Sequence, residues 1–331
     1  MCFGEIVNRR RFLASSLAAA AAATAAVGSP LSAAAADDEQ DRDEKGPGAA
    51  GVKFTWFGTN GWEITFGKRT ILIDPWFGRF DSGFFSGRFN PNTPLLPPRE
   101  ELIAKHVTKA DQILIGHGHW DHMADIPFIA RNTGAMVVGS ETHANVLRAT
   151  SQVQEGKIVQ VKGGEFMEFD GYTIEVFPGL HSLGPTKKFS VPGHRFSVPP
   201  TPVVVGDLPE GDSLIYQITI AEKFRIFLMS TANFIERALT DVQPDVALVA
   251  SIFSNQIHDY TRRLMNSLHK PKVVLPTHWD NFEKPFEAGP KDLTDVFGEA
   301  GSLTTFVNQV RTVSPRTRVV VFQDFFQSFA A

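Results

Sequence analysis

Four side chains able to hold a metal ion fall within six positions at His117-Gly118-His119-Trp120-Asp121-His122, one residue past the apolar run Ile113-Leu114-Ile115. In extended chain, side chains at i and i+2 share a face. His117 and His119 are therefore placed to grip one cation from one side. Asp121 and His122 follow where the chain turns, and they can reach a second cation nearby. Imidazole nitrogen and carboxylate oxygen are ligands that zinc takes at roughly 2.0–2.2 Å; iron and manganese accept the same donors. The chain has only 10 histidines in 331 residues, so three in six positions beside an aspartate is a poor fit to chance.

Such a site needs ligands from elsewhere in the chain. His181 ends Ile174-Glu175-Val176-Phe177-Pro178-Gly179-Leu180-His181, and His278 ends Val273-Val274-Leu275-Pro276-Thr277-His278. Both repeat the strand-then-histidine context of His117. His106 lies in a surface-helix pattern (101–109), His143 in a helix-like segment (141–149), and His269 near a helix end before Pro271. These three read as solvated surface. His194 lies in a Pro/Gly-rich loop, where its role stays open.

The elements that must position these residues alternate between strand and helix. Strands are expected over 52–57, 62–66, 70–74, 112–115, 136–138, 157–161, 172–177, 213–220, 224–229, 246–249 and 273–275, with a last one over 319–322. Helices are expected over 124–133, 141–149, 261–269 and 303–312. Two long loops, 78–98 and 184–207, are rich in Gly and Pro and carry Phe80, Phe84, Phe85, Phe89, Phe189 and Phe196. Their length points to the mouth of a site, and their rings to an apolar lid or an apolar, lipid-like small-molecule substrate.

The motif His117-x-His119-x-Asp121-His122, with the opening Phe54-Thr55-Trp56-Phe57-Gly58 and Ile71-Leu72-Ile73-Asp74-Pro75-Trp76, resembles the metallo-β-lactamase-fold hydrolases. The resemblance runs from about Val52 to Phe322. Within that superfamily it is similar to the branch of ascorbate-6-phosphate lactonase and N-acyl-phosphatidylethanolamine phospholipase D. It implies a four-layer αβ/βα sandwich of the α/β class, with metals at one edge. It also implies one metal on His117, His119 and His181, and another on Asp121, His122 and His278. Many members place a bridging aspartate after a strand. The matching stretch here is Phe227-Leu228-Met229-Ser230-Thr231-Ala232-Asn233, so Thr231 stands in its place and the occupancy of the second site is open. Ser230, Thr231 or Asn233 would then orient a water, or simply close a strand-to-helix turn and cap the following helix.

The implied chemistry is hydrolysis. A bound zinc lowers the pKa of water from about 15.7 to roughly 7 and supplies hydroxide for attack on a carbonyl or a phosphorus. Asp121 would bind metal and steer that nucleophile, and His258 is the candidate for protonating the leaving group. The leading reading is a metal-dependent hydrolase of a lactone, another cyclic ester or a phosphodiester. A mononuclear iron dioxygenase acting on a persulfide, or a metal-stabilised ligand-binding protein, are the alternatives.

Composition bounds the rest. The segment Asn8-Arg9-Arg10-Arg11-Phe12-Leu13, followed by an alanine-rich stretch ending at Ala36, resembles a twin-arginine signal. Residues 1–36 are thus expected to pass through the twin-arginine export machinery, giving a periplasmic or extracellular protein. Residues 37–50 read as an acidic disordered tether, and 51–331 as the catalytic domain. Cleavage would remove Cys2, the one cysteine, leaving no disulfide and no thiolate nucleophile. The net charge is −4. No basic stripe suited to nucleic acid is apparent.

Overall fold

A computed structural model describes residues 51–331; the expected signal and tether lie outside the described residues. The chain forms two seven-stranded mixed sheets. The first half supplies β1 (Lys53–Gly58), β2 (Gly61–Phe66), β3 (Arg69–Ile73), β4 (Gln112–Leu114), β5 (Met136–Gly139) and β6 (Ile158–Gln160). The second half supplies β7 (Phe166–Phe169), β8 (Tyr172–Pro178), β9 (Leu214–Ile220), β10 (Phe224–Met229), β11 (Val246–Ala250), β12 (Val273–Thr277) and β13 (Arg318–Val319). A last strand, β14 (Ser328–Ala330), returns to the first sheet, antiparallel to β1.

Alternation along each strand decides the layers. Trp56, Ile64, Ile71, Ile73 and Leu114 point inward from the first sheet and meet Ile174, Tyr216, Ile218, Leu228 and Leu248 of the second. Leu72, Ile113 and Val137 point the other way. They bury against Ile103 of α1 (Glu100–His106), Ile126 and Ile129 of α3 (Ile126–Thr133), and Val146 and Leu147 of α4 (Glu141–Thr150). The four-residue α2 (Trp120–Met123) precedes α3. Phe227, Ala247, Val249 and Val274 on the far side of the second sheet pack on Leu264 and Met265 of α5 (Tyr260–Ser267) and on Phe306 and Val310 of α7 (Leu303–Val313). The short α6 (Thr294–Phe297) lies between β12 and α7 in the chain. This is the expected four-layer αβ/βα sandwich.

Three expectations are corrected. The strand expected over 319–322 is Arg318–Val319 only. Val320 N–H still donates to Val274 O, but Pro276, two residues on and facing the same neighbour, has no N–H to continue the ladder. Strands β7 and β14 were not expected; both are short edge strands with little periodic signal. His143 is not surface: it is fully buried. It sits at the third position of α4, where its Nδ1 accepts from Ser140 N–H at 3.0 Å and Nε2 lies 3.1 Å from Glu210 O. A histidine thus takes the place that Glu or Gln holds in the usual capping box, and burial pushes its imidazole down to about 4. His106 is half-buried and stacks on Phe326 at 3.6 Å, whereas His269 is exposed, as expected.

Candidate metal centre

Strand β4 lies between the parallel β3 and β5 and is buried on both faces. After Ile115 donates to Val138 O the chain leaves the sheet at Gly116. A Cβ at Gly116 would collide with the Ser230 hydroxyl and the Asp74 carboxylate, and one at Gly118 with the Pro209 carbonyl. The residues flanking His117 are therefore glycine for want of space. His119 is the N-cap of α2 with extended backbone. The two histidines are thus presented in extended chain, and Asp121 and His122 on the first helical turn.

Six side chains converge here. His117, His119 and His181 offer ligand atoms within 4.8 Å of one another, and so do Asp121, His122 and His278. The two groups are the ones that the family resemblance implies. His181 follows β8, and its Nε2 lies 3.3 Å from His117 Nε2. His278 follows β12 with a φ of 51°; its backbone N–H donates to Thr59 O at 2.8 Å. Its Nε2 lies 3.1 Å from His122 Nε2 and 3.3 Å from Asp121 Oδ2.

The outer ring nitrogens fix the tautomers. His181 Nδ1 lies 2.7 Å from Ser182 O, His122 Nδ1 2.8 Å from Asp74 Oδ2, and His119 Nε2 3.3 Å from Val191 O. Each of those nitrogens must donate, so the opposite nitrogen turns a lone pair into the cluster. Burial, with neighbouring histidines, holds His117 and His181 well below the ordinary imidazole range, and burial brings His119 to about 4. His181 and His119 thus turn ring lone pairs toward His117, giving a set of neutral imidazole nitrogens that one cation can share. The donor set therefore fits divalent metal ions.

His122 behaves differently. Burial opposes its charge, but Asp121 and Asp74 outweigh burial and raise it to about 9. Burial likewise opposes ionisation of Asp121, yet His122 and His278 hold its carboxyl well below the usual range. The metal-free half-site thus keeps a proton that a cation must displace. The sign follows directly: below about pH 9 protonation competes with metal. The apparent affinity of this half-site should rise about tenfold per pH unit from 7 toward 9. Metal titration against a chelator at several pH values reads this; a flat dissociation constant would mean that His122 is already neutral.

Asp74, to which the sequence reading gave no role, holds the centre from behind. It is fully buried and accepts from Gly116 N–H at 2.7 Å, Asn60 Nδ2 at 2.8 Å and His122 Nδ1. Its place at a strand end, like that of the histidines, was the signal. Behind His278, Asp280 accepts from Thr59 N–H and from Arg79, both at 2.8 Å. Arg79 and Asp280 form a buried ion pair.

The residues expected to orient water divide. Ser230 Oγ is 3.3 Å from His117 Nδ1. Thr231 Oγ1 lies at the cleft and accepts from Ser182 N–H at 2.6 Å. Asn233 Nδ2 donates to His181 O at 3.1 Å, so it braces a ligand's backbone. None of the three caps a following helix.

His258 is a correction. It is exposed, it does not line the cleft, and its carbonyl accepts from Arg263. The chain after β11 turns at Phe253, with φ 57°, so Ile252 and Phe253 reach the cleft instead. The cleft has a volume of about 240 Å³. Phe84 from the first long loop and Phe189 from the second line it, with Trp120 and Phe282. Phe80, Phe85 and Phe89 are partly buried and, like Phe84, pack against the core, and Phe196 and His194 stay outside on the surface. The phenylalanines therefore serve both as lid and as core.

A family model described as "Beta-lactamase superfamily domain" matches residues 69–279. The chain belongs to that superfamily. It has the metallo-β-lactamase fold, and the relatives it matches are named metal-dependent hydrolases. It is similar to UPF0173 metal-dependent hydrolases. With that of Salinibacter ruber it is 26% identical, over 76% of this chain and 94% of the relative. With that of Roseobacter denitrificans it is 28% identical, over 44% of this chain and 61% of the relative. Among solved structures it resembles Igni18, a metallo hydrolase from Ignicoccus hospitalis, with a TM-score of 0.51, 20% identity and coverage of 84% and 98% of the two chains. It also resembles CmlA, a diiron β-hydroxylase from Streptomyces venezuelae, with a TM-score of 0.54, 12% identity and coverage of 85% and 54%.

Proposed function

We propose that this superfamily member cleaves an ester-type bond, in a lactone, another cyclic ester or a phosphodiester, at two divalent ions, zinc first. The observation that supports the reading is the pair of three-ligand groups opening onto one cleft. A closed structural zinc site uses four ligands and leaves no open position. Here three protein ligands per ion leave room for substrate. Ions held there supply Lewis acidity at the reacting bond and lower the pKa of water. The chain's own groups do the rest. Asp121 faces the cleft between His122 and His278, where it can orient a nucleophile. Trp120, Phe84, Phe253 and Phe282 keep bulk water from the reacting bond. Thr231, in place of a bridging carboxylate, leaves the second ion with Asp121, His122 and His278 alone. Export by the twin-arginine route is part of the proposal and rests on residues 8–36.

Elemental analysis of protein purified without added metal or chelator, paired with ester and phosphodiester panels, tests this. About two zinc or manganese ions per chain with turnover is the expected result. About one iron per chain, with oxygen uptake on a persulfide, would replace the hydrolase with the redox reading.

A further inference from the structure

One charged side chain of the cleft has no part in holding metal. Lys188 lines the cleft beside Phe189 and Ser190. A turn fixes its backbone, because its carbonyl accepts from Gly184 N–H at 2.8 Å. The preceding residue, Lys187, has a φ of 60°. Its ammonium leaves the cleft and donates to the Gln256 carbonyl at 3.1 Å. This left-handed step sends two consecutive lysines to different tasks. One ties the loop to the segment after β11, and the other stays at the cleft. The lysines that pair with carboxylates among the described residues are Lys109 and Lys272, so Lys188 is left with its charge uncompensated. Among the described residues Asp121 is the one carboxylate lining the cleft, and it belongs to the metal-holding set. With metal ions held by the two ligand groups, a cleft with apolar walls, one lysine and one lining carboxylate would carry a surplus of positive charge. Lys188 is exposed, so its charge is open to an incoming anion and screened in part by solvent.

We propose that Lys188 determines specificity by pairing with an oxyanion of the substrate, which is an ester with a compact aromatic or short apolar body and a negative charge of its own. The oxyanion is a carboxylate or a phosphodiester. The proposal rests on the hydrolase reading for its chemistry, but its binding arm does not. The first experiment is calorimetric binding of 4-phenylbutyrate and its neutral isostere 4-phenylbutanamide to the metal-loaded protein and its variants. Lys188→Gln should weaken phenylbutyrate about tenfold and leave the amide within about twofold. Lys188→Arg should restore most of the loss, and Lys187→Gln should leave the preference for the anion in place. Equal loss for both probes would mean that Lys188 only shapes the loop. An unchanged affinity for the anion would mean that the metals alone hold it. Either result overturns the proposal. The second experiment compares hydrolysis of p-nitrophenyl hemiglutarate, bis(p-nitrophenyl) phosphate and neutral p-nitrophenyl butyrate. The anionic probe of the right class should show a KM about tenfold higher in Lys188→Gln with kcat nearly kept, and the neutral ester should not respond. A KM increase as large for the neutral ester would overturn the proposal. If the metal-loaded protein turns over none of the three yet binds phenylbutyrate through Lys188, the hydrolase reading fails and the anion site stands.

Discussion

His119→Ala should lower kcat/KM by about 10³-fold or more and remove about one metal ion per chain. His119 donates from Nε2 to Val191 O, which leaves Nδ1 to face the cluster. Without the ring, His117 and His181 remain as a two-ligand remnant. The backbone cannot shift to compensate, because Gly118 already packs against the Pro209 carbonyl. The fold should survive. As N-cap of α2, His119 makes no side-chain capping bond, and the hydrophobic layers lie elsewhere. Circular dichroism should therefore match the parent while elemental analysis and turnover do not. Full turnover with unchanged metal content would remove His119 from the centre.

Asp74→Ala should do more damage than its distance from the substrate suggests. The carboxylate satisfies three buried donors: Gly116 N–H, the Asn60 amide and the His122 ring. Truncation leaves them unpaired, at a cost of about 3–5 kcal/mol. It also frees the His122 ring, and loss of such a supporting carboxylate typically weakens metal binding 10–100-fold. Asp74→Asn separates the two effects. Asp74 has a φ of 41°, a region that Asn tolerates. The amide oxygen still accepts, but the charge that favours the His122 Nδ1–H tautomer is gone. Denaturant unfolding should place Asn between the parent and Ala, because its NH2 must face either Gly116 N–H or the Asn60 and His122 donors, with metal affinity reduced in both. Parent-like affinity in Asp74→Asn would mean that His122 needs no carboxylate behind it.

Legibility in the sequence followed how local each signal was. The strands feeding the cluster announce themselves by apolar runs that end at a histidine, so six candidate ligands could be named. Asp74 has the same strand-end position but no histidine beside it, and its partners lie 14, 42 and 48 residues away. No spacing rule reaches that far. His143 was misread because its helix face looks polar in sequence, while Glu210 closes over it from a distant loop. His258 was misread because a loop histidine after a strand resembles a cleft residue, until the turn at Phe253 carries it outward.

The sequence by itself determined the donor types, their placement at strand ends and the four-layer sandwich. The donors and their placement follow from side-chain chemistry and from periodicity along a single element, and the sandwich from the family resemblance that the His117–His122 motif carries. Only the tertiary structure decided which ring nitrogen faces the metals, that Asp74 and the Arg79–Asp280 pair brace the ligands, and that Lys188 alone of two lysines stays at the cleft. Those choices depend on hydrogen-bond partners and on left-handed turns that bring distant segments together.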